Sequence, residues 1–197
     1  MELEYKWRIT APRDFKKFDG VLRGLGFKKN AARLLITDTY FDDRAGALRA
    51  QKIALRLRRV NCGYQITLKN ASEIKNGLAR RRENTLALNA QTSAGARACL
   101  RGLFSGLWPH LGAPQKLFTI KNKRKIILLE NKILKAELAL DNCDIITPRK
   151  KIKFYEAELE LISGRRAAFD ALAKELGVKT GLAPAVKSKV ATAAEYL

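Results

Sequence analysis

The sequence has little of what disulfide frameworks and histidine-based sites require. Among its 197 residues there are three cysteines and one histidine. Cys62, Cys99 and Cys143 are far apart in the chain and odd in number, so we expect no disulfide framework. Because His110 is the single histidine, we do not expect a His/Cys zinc site or a His-based catalytic triad. Any metal would therefore be held by carboxylates, which suit hard cations such as Mg²⁺ or Mn²⁺.

Long apolar runs are also absent. No run approaches the roughly 18 residues that a membrane span needs. The N-terminus, Met1-Glu2-Leu3-Glu4, lacks the apolar core of a signal peptide. We therefore expect a soluble, cytoplasmic protein.

Acidic residues are few relative to basic ones. Lys and Arg total 39 against 19 Asp and Glu, which gives a formal net charge of +20. Such an excess favours an anionic partner: nucleic acid, an anionic membrane or a polyphosphate. The hydrophobic content of 47% and the chain length are typical of one globular domain.

What the sequence does contain is alternation of polar and apolar residues, the pattern of half-exposed strands. Strands are predicted at about 2–9, 33–42, 53–60, 64–70, 79–88, 117–129, 133–140 and 154–162, with a hairpin turn at 61–63. Helices are predicted from Pro12 to about Gly24, at 93–107, at 165–176 with a stop at Gly177, and from about 185 to the C-terminus. The pattern thus indicates eight strands and a few helices in a single domain.

Charges of one sign share strand faces. Because side chains alternate with a period of two, Glu2 and Glu4 lie on one face of the first strand, and Arg56 and Arg58 on one face of another. The 154–162 strand places Glu156, Glu158 and Glu160 together in the same way.

Two interpretations of these faces remain open. An open sheet with one solvated face would show the same alternation. Solvated faces usually mix signs, however, and stacked carboxylates repel unless a cation lies among them. Clusters of carboxylates and cations facing one space would suit a metal–polyphosphate complex, with carboxylates on the metal and cations on the phosphate oxygens.

The N-terminal run Glu2-x-Glu4-x-Lys6 resembles the ExExK signature of the CYTH domain, the family of triphosphate tunnel metalloenzymes. Further landmarks follow in the family's order over essentially the whole chain. They are Thr39-Tyr40-Phe41-Asp42, Leu55-Arg56-Leu57-Arg58, Thr67-Leu68-Lys69, Arg81 with Glu83, Lys123-Arg124, Glu137 to Asp141, Glu156 to Gly164, and Ser188-Lys189. The segments at 53–88 and 137–164 are most similar to those of bacterial inorganic triphosphatases.

This resemblance implies a mainly β fold of the α+β class. The fold would be a closed eight-stranded antiparallel β-barrel, a tunnel with a charged interior and with helices packed outside its apolar outer face. Bacterial members of this kind often carry a CHAD domain as well. We expect one CYTH domain over residues 1–197 and no CHAD domain.

The resemblance also implies roles for the charged residues. Phosphate binding is assigned to Lys6, Arg56, Arg58, Lys69, Arg81, Arg124 and Lys189. Metal ligation, directly or through water, is assigned to Glu2, Glu4, Glu156, Glu158 and Glu160, while Glu83, Glu137 and Asp141 are weaker candidates that could be ion-pair partners instead. Of all these, Glu4, Lys6, Arg56 and Glu158 are the expected catalytic residues.

The implied activity is the Mg²⁺- or Mn²⁺-dependent hydrolysis of inorganic triphosphate to pyrophosphate and phosphate. Alternatives on the same fold are a thiamine triphosphatase and a class IV adenylate cyclase, and a different alternative is a non-catalytic polyphosphate- or nucleic-acid-binding module. The expected partner is a small polyphosphate, which could be a nucleoside or thiamine triphosphate, and the expected state is a monomer or homodimer. We do not expect a membrane partner. Nucleic acid is not the expected partner either, since no RNA-recognition aromatic pattern is visible.

Overall fold

The computed structural model describes residues 2–70, 74–81 and 83–197, with the Arg81 side chain outside that description. Ten strands lie within these ranges. They are β1 (Glu2–Ile9), β2 (Lys28–Asp42), β3 (Ile53–Val60), β4 (Gly63–Asn70), β5 (Ile74–Lys75), β6 (Leu78–Arg81), β7 (Glu83–Leu88), β8 (Gln115–Glu130), β9 (Leu134–Ile146) and β10 (Lys151–Gly164). The helices in the same ranges, besides a 3₁₀ turn at Pro12–Asp14, are α1 (Phe15–Arg23), α2 (Ala47–Ala50), α3 (Ser93–Leu107), α4 (Arg166–Thr180) and α5 (Lys189–Ala194).

All ten strands form one antiparallel sheet in the order β5-β6-β1-β10-β9-β8-β2-β3-β4-β7. The sheet is curled: Lys69 Nζ on β4 lies 3.9 Å from Glu2 Oε2 on β1, although five strands lie between β4 and β1 in this order. The segment predicted as one strand at 79–88 contributes β6, which pairs with β1, and β7, which pairs with β4. Two strands that follow each other directly in the chain, β6 and β7, therefore lie near opposite ends of the sheet order.

The alternation predicted from the sequence determines which side chains are inside. Charged side chains such as Lys6 and Arg56 are buried on the inner face, and their apolar neighbours Leu55 and Leu57 are buried on the outer face. The predicted fold class, mainly antiparallel β with a charged interior and outer helices, is confirmed, but the described residues form ten strands where eight were predicted. Several strands are longer than predicted: β9 continues to Ile146, where 140 was expected, and β2 begins at Lys28, where 33 was expected.

Helices cover the outer face of the sheet in two places. The helices α1 and α4 enclose one apolar layer with β1, β8, β9 and β10, in which Phe18 and Phe169 are fully buried. The helix α3 encloses a second layer with β3 and β4, centred on Leu100 and Phe104. No helix among the described residues is long and apolar enough to span a membrane.

Two helix boundaries differ from the sequence prediction. The predicted stop at Gly177 is wrong, because α4 continues to Thr180 and ends at Gly181, which has φ of 63°. Gly177 instead allows close packing: a Cβ there would lie 3.2 Å from Trp7 Nε1. The C-terminal helix is also shorter than predicted, because residues 183–185 run extended beside β1 and hydrogen-bond to its backbone.

Gly77 holds the backbone of β1 in place at Lys6. Its carbonyl accepts a 2.8 Å hydrogen bond from Lys6 N, its φ is 78°, and an added Cβ would lie 2.8 Å from Lys6 O and 3.0 Å from Pro184 Cβ. We expect Gly77→Ala to lower the free energy of unfolding by about 1–3 kcal/mol, because the strained backbone must shift. Gly20→Ala in α1 is the matched control, since its Cβ meets open space and alanine favours a helix. Urea unfolding compares the two, and equal stability of both variants would contradict the role of Gly77.

Candidate active site

The inner face of the curled sheet encloses a cavity of about 410 Å³. Its charged lining comes from seven strands and from α5. The cations are Lys6, Arg56, Arg58, Lys69, Arg124 and Lys189, and the carboxylates are Glu2, Asp38, Glu83, Glu158 and Glu160. The lining also includes Tyr40, Leu161, Ser188 and Val190. The structure thus brings together side chains that are more than 180 residues apart in sequence.

Most of the predicted phosphate-binding residues meet at this cavity. Six of the seven line it, and the seventh, Arg81, has a side chain outside the described residues. Of the predicted metal ligands, Glu2, Glu158 and Glu160 line the cavity, while Glu4 and Glu156 are buried behind it. The roles of all these residues stay predictions at this point.

Lys6 lies at the centre of the buried carboxylates. Its Nζ donates to Glu158 Oε1, lies 3.1 Å from Glu4 Oε1 and lies 3.8 Å from Glu156 Oε2. Burial by itself would lower the pKa of Lys6, but Glu156, Glu158 and Glu4 together raise it above its ordinary value. The ammonium group is therefore charged at any physiological pH.

A second ion-pair group connects α5 to the sheet. Lys189 Nζ donates to Glu156 Oε2, to Asp141 Oδ2 at 2.8 Å and to Glu158 Oε1 at 2.9 Å. Arg124 donates Nε and Nη2 to the two oxygens of Asp141, both at 2.7 Å, and Nη2 also to Glu158 Oε2 at 2.6 Å. Asp141, a weaker metal candidate from the sequence, is thus a fully buried partner of two cations.

Ser188 determines where the Lys189 side chain starts. Its side-chain oxygen accepts a 3.1 Å hydrogen bond from Ala191 N and caps α5, so that Lys189 is the first residue of that helix. The adjacent Ser188-Lys189 landmark in the sequence therefore combines a helix cap with a cavity-lining cation.

Asp38 is the charged site residue that sequence reasoning missed. Arg58 donates Nε and Nη2 to its two oxygens at 2.7 and 2.8 Å, and Arg56 Nη1 lies 3.6 Å away. Burial opposes the shift, but Arg58 and Arg56 lower the pKa of Asp38. The carboxylate therefore fixes both guanidinium groups at the cavity wall. Asp38 lies two residues before Tyr40, so the period-two pattern places both on the same strand face. No acid two residues away indicated a carboxylate cluster there.

The carboxylate chemistry fits a divalent cation. Oxygens of Asp141, Glu156 and Glu158 lie within 4.8 Å of one another. Glu156 Oε1 is buried and has no hydrogen-bond partner among the described residues. Hard cations such as Mg²⁺ take oxygen ligands of this kind.

Two glutamates of the site, Glu156 and Glu160, hold their protons more tightly than a free carboxyl group. Burial raises the pKa of Glu156 to about 7, against the influence of Lys189 and Lys6. Burial, with Glu2 and Glu4 adding like charge, raises the pKa of Glu160 to about 7. In contrast, burial is outweighed at Glu158, where Lys189, Lys6 and Arg124 hold the pKa well below its usual range. Burial therefore favours the protonated forms of Glu156 and Glu160, whereas three close cations keep Glu158 ionised.

Apolar side chains fill one end of the sheet interior. The rings of Tyr40 and Phe118 stack with centroids 4.6 Å apart, and Ile120 and Ile145 pack beside them. Ala193 of α5 is buried against this cluster. The charged cavity therefore has an apolar floor, which the sequence analysis did not predict.

Folding changes the proton affinity of Glu160, so the stability of the metal-free protein should depend on pH. Because the pKa rises from the usual 4.5 to about 7 on folding, the free energy of unfolding should fall as pH increases from about 5 to about 8. Glu160→Gln should remove about 1 kcal/mol of that fall, a figure reduced for screening by water at a partly exposed group. Urea unfolding with a chelator present measures the slope.

Glu175→Gln, at a partly exposed glutamate of α4, is the control for the pH experiment and should keep the wild-type slope. Identical slopes for wild type and Glu160→Gln would show that folding does not raise the pKa of this carboxyl group.

Comparison with known proteins places the site in a family. The family model for the CYTH domain matches residues 1–194. The inorganic triphosphatase of Haemophilus influenzae is 31% identical over 131 residues, which are 66% of this chain but 37% of that relative, so this chain spans little more than a third of the relative's length.

Solved structures show the same fold at low identity. HpAC1 of Hippeastrum, named as an adenylyl cyclase with a dominant triphosphatase activity, superimposes with a TM-score of 0.71 at 19% identity, covering 99% of this chain and 96% of that one. A protein of Bacillus halodurans named as an adenylate cyclase gives a TM-score of 0.66 at 21% identity, covering 96% and 95%. Since the family model covers nearly every residue that builds the curled sheet and its charged interior, this chain belongs to the CYTH domain family.

Proposed function

We propose that this protein hydrolyses inorganic triphosphate to pyrophosphate and phosphate with the help of Mg²⁺ or Mn²⁺. The observation that carries the proposal is the convergence of six cations, from four strands and α5, on one cavity that is also lined by carboxylates. The name of the Haemophilus influenzae relative supports the same activity. A triphosphate chain carries about four to five negative charges, and enclosing it requires several fixed cations, since an unpaired buried charge is costly.

The cations are proposed to bind and orient the phosphate chain. Arg56 and Arg58 are suited to bidentate contacts with phosphate oxygens, whereas Lys6, Lys69 and Lys189 act as point charges. Arg56 Nε is buried with no hydrogen-bond partner among the described residues, so it is a donor available to a ligand. As charge moves from the transferring phosphoryl group to the leaving oxygen, these fixed donors stabilise it without reorganisation.

The carboxylates are proposed to hold the divalent cation. Glu2, Glu158 and Glu160 reach the cavity directly, and Glu4 and Glu156 support them from behind. A bound divalent cation supplies Lewis-acid neutralisation of phosphate oxygens. In the absence of ligand, Lys6 and Lys189 neutralise the same carboxylates. Binding of metal and triphosphate together lets each lysine exchange a carboxylate for a phosphate oxygen.

The decisive test is a phosphate-release panel. Triphosphate, ATP, thiamine triphosphate and long-chain polyphosphate are each incubated with Mg²⁺, with Mn²⁺ or with a chelator. We expect triphosphate to give the highest kcat/KM and the chelator to abolish turnover. Formation of cyclic AMP from ATP faster than release of phosphate from triphosphate would favour a cyclase. Tight binding of triphosphate without turnover under either metal would favour a non-catalytic module.

Arg56 and Arg59 provide a matched pair for testing the inner face. Both are on β3, but Arg56 is buried at the cavity while Arg59 is exposed on the outer face. We expect Arg56→Ala to lower kcat/KM for triphosphate by about 10²-fold or more, with a loss in kcat itself, because its contact strengthens as charge develops. Arg59→Ala should stay within about twofold of wild type under the same initial-rate assay. Equal effects of the two substitutions would contradict the proposed binding face.

Glu158→Gln tests the metal-binding carboxylates. The substitution keeps the side-chain volume and removes the charge that a cation would need, so half-maximal activity should require at least about tenfold more Mn²⁺. Glu130→Gln, at an exposed residue of β8, is the control and should leave the metal titration unchanged. A wild-type metal titration for Glu158→Gln would remove Glu158 from the ligand set.

A further inference from the structure

The outer face of the sheet has a strip that lies between the two helix-covered layers. It consists of those outer-face residues of β2, β8, β9 and β10 that α1 and α4 leave uncovered, with Arg59 of β3 beside them. Leu35 on this strip is 69% exposed, although leucines elsewhere on the outer face, such as Leu57 and Leu159, are buried. We call these residues the outer strip; its charged members are Arg33, Arg59, Lys121, Lys123, Lys125, Asp144, Lys151 and Lys153.

Strand register brings two separate basic clusters of the sequence onto this strip. Arg59 pairs with Thr37, Thr37 with Lys121, Lys121 with Asp144, and Asp144 with Lys153. Because directly paired residues of an antiparallel sheet share a face, these five form one row across the strip. The run at 121–125 and the run at 149–153, which are far apart in the chain, thus become neighbouring columns.

Positive charge dominates the strip even after its acids are counted. Asp144 lies between the columns, 2.8 Å from Lys153 Nζ and 3.9 Å from Lys151 Nζ. Asp19 of α1 lies at the edge and is 3.0 Å from Lys125 Nζ. Seven cations face these two carboxylates, and Lys121 and Lys123 are exposed with no salt-bridge partner among the described residues.

The spacing of the columns is compatible with a duplex backbone. Alternate residues of a strand are about 6.8 Å apart, which equals the axial rise over two phosphate steps of about 3.4 Å each on one strand of a duplex. Lys121 and Lys153 are two strand spacings apart, about 9.6 Å, a distance between the roughly 6 Å and 12 Å widths of the two duplex grooves. Because the lysine side chain is long and flexible, lysines of the two columns can reach phosphates on both sides of a groove.

We propose that the outer strip binds the phosphate backbone of duplex nucleic acid without sequence preference. Lysines act as point charges towards phosphate and give affinity without reading bases. Single-strand binders need exposed aromatic platforms on which bases stack. Tyr155, the aromatic residue of β10 beside the strip, is half-buried and packs against Phe15 instead. The proposal does not depend on the proposed triphosphatase activity, because none of the strip residues lines the cavity.

The test compares two variants with the same net charge. The strip variant carries Lys121→Gln, Lys123→Gln, Lys151→Gln and Lys153→Gln. The control variant carries Lys16→Gln, Lys28→Gln, Lys132→Gln and Lys174→Gln, at exposed positions away from the strip. Fluorescence anisotropy measures binding of a labelled 20-base-pair duplex between 50 and 200 mM salt.

We expect wild type and control to bind the duplex with a salt slope near −0.9 per phosphate contact, and the strip variant to bind at least about tenfold more weakly with a slope shallower by about 3. Triphosphate hydrolysis and thermal stability should be the same in all three proteins, which separates this proposal from the proposed function. Equal weakening in strip and control variants would overturn the strip as a site. Tighter strip-dependent binding of the single strand or of long-chain polyphosphate than of the duplex would overturn the choice of partner.

Discussion

Mutual neutralisation of enclosed charges is the interaction on which the rest of the structure depends. A curled sheet with Lys6, Arg124 and Glu158 inside is stable only if each charge has a partner, because an isolated buried charge is far more costly than a buried pair. The pairs connect strands that are distant in the chain: Lys6 of β1 with Glu158 of β10, and Arg124 of β8 with Asp141 of β9. The apolar layers under the helices stabilise the outside, and the ion pairs make the inside compatible with burial.

The cost of burying these charges differs from group to group. Burial raises the pKa of Glu156 and of Glu160 to about 7, whereas Lys189, Lys6 and Arg124 hold the pKa of Glu158 well below its usual range. Glu156 Oε1 and Arg56 Nε are buried and have no hydrogen-bond partner among the described residues. A ligand that combines a divalent cation with a phosphate chain would offer positive charge to such a carboxylate and an acceptor to such a donor.

The sequence predicts the features that recur with the strand period, and it does not predict features that depend on a single residue and its tertiary partner. Runs such as Glu156, Glu158 and Glu160 reveal their shared face because like charges recur with the strand period. Asp38 is a single acid in a run of threonines and apolar residues, so its partnership with Arg58 is a tertiary fact that alternation does not encode. The apolar floor was missed for a related reason.

Along β8, the inward face carries Arg124 and Asn122 and then changes to Ile120 and Phe118, so one periodic pattern contains both charged cavity and packed core. One glycine led to a wrong helix boundary. Glycine often ends a helix, but Gly177 lies inside α4, and the close approach of Trp7, from the other end of the chain, accounts for the small residue there. The boundaries of strands and helices likewise depend on partners, such as the pairing of residues 183–185 with β1, that no local window contains.

The position of the first strand has a consequence for how the protein is made. β1 is not at an edge of the sheet but lies between β6 and β10. Lys189, which contacts Glu156 and Glu158 on the neighbouring strand β10, belongs to α5. During synthesis β1 therefore leaves the ribosome before β10 and α5, so Lys6 gains its contacts with Glu156 and Glu158 only after β10 has emerged. Pairings of such sequence separation are slow to form. The ordering of the charged interior thus becomes a late step of folding, completed only when the two distant portions of the chain meet.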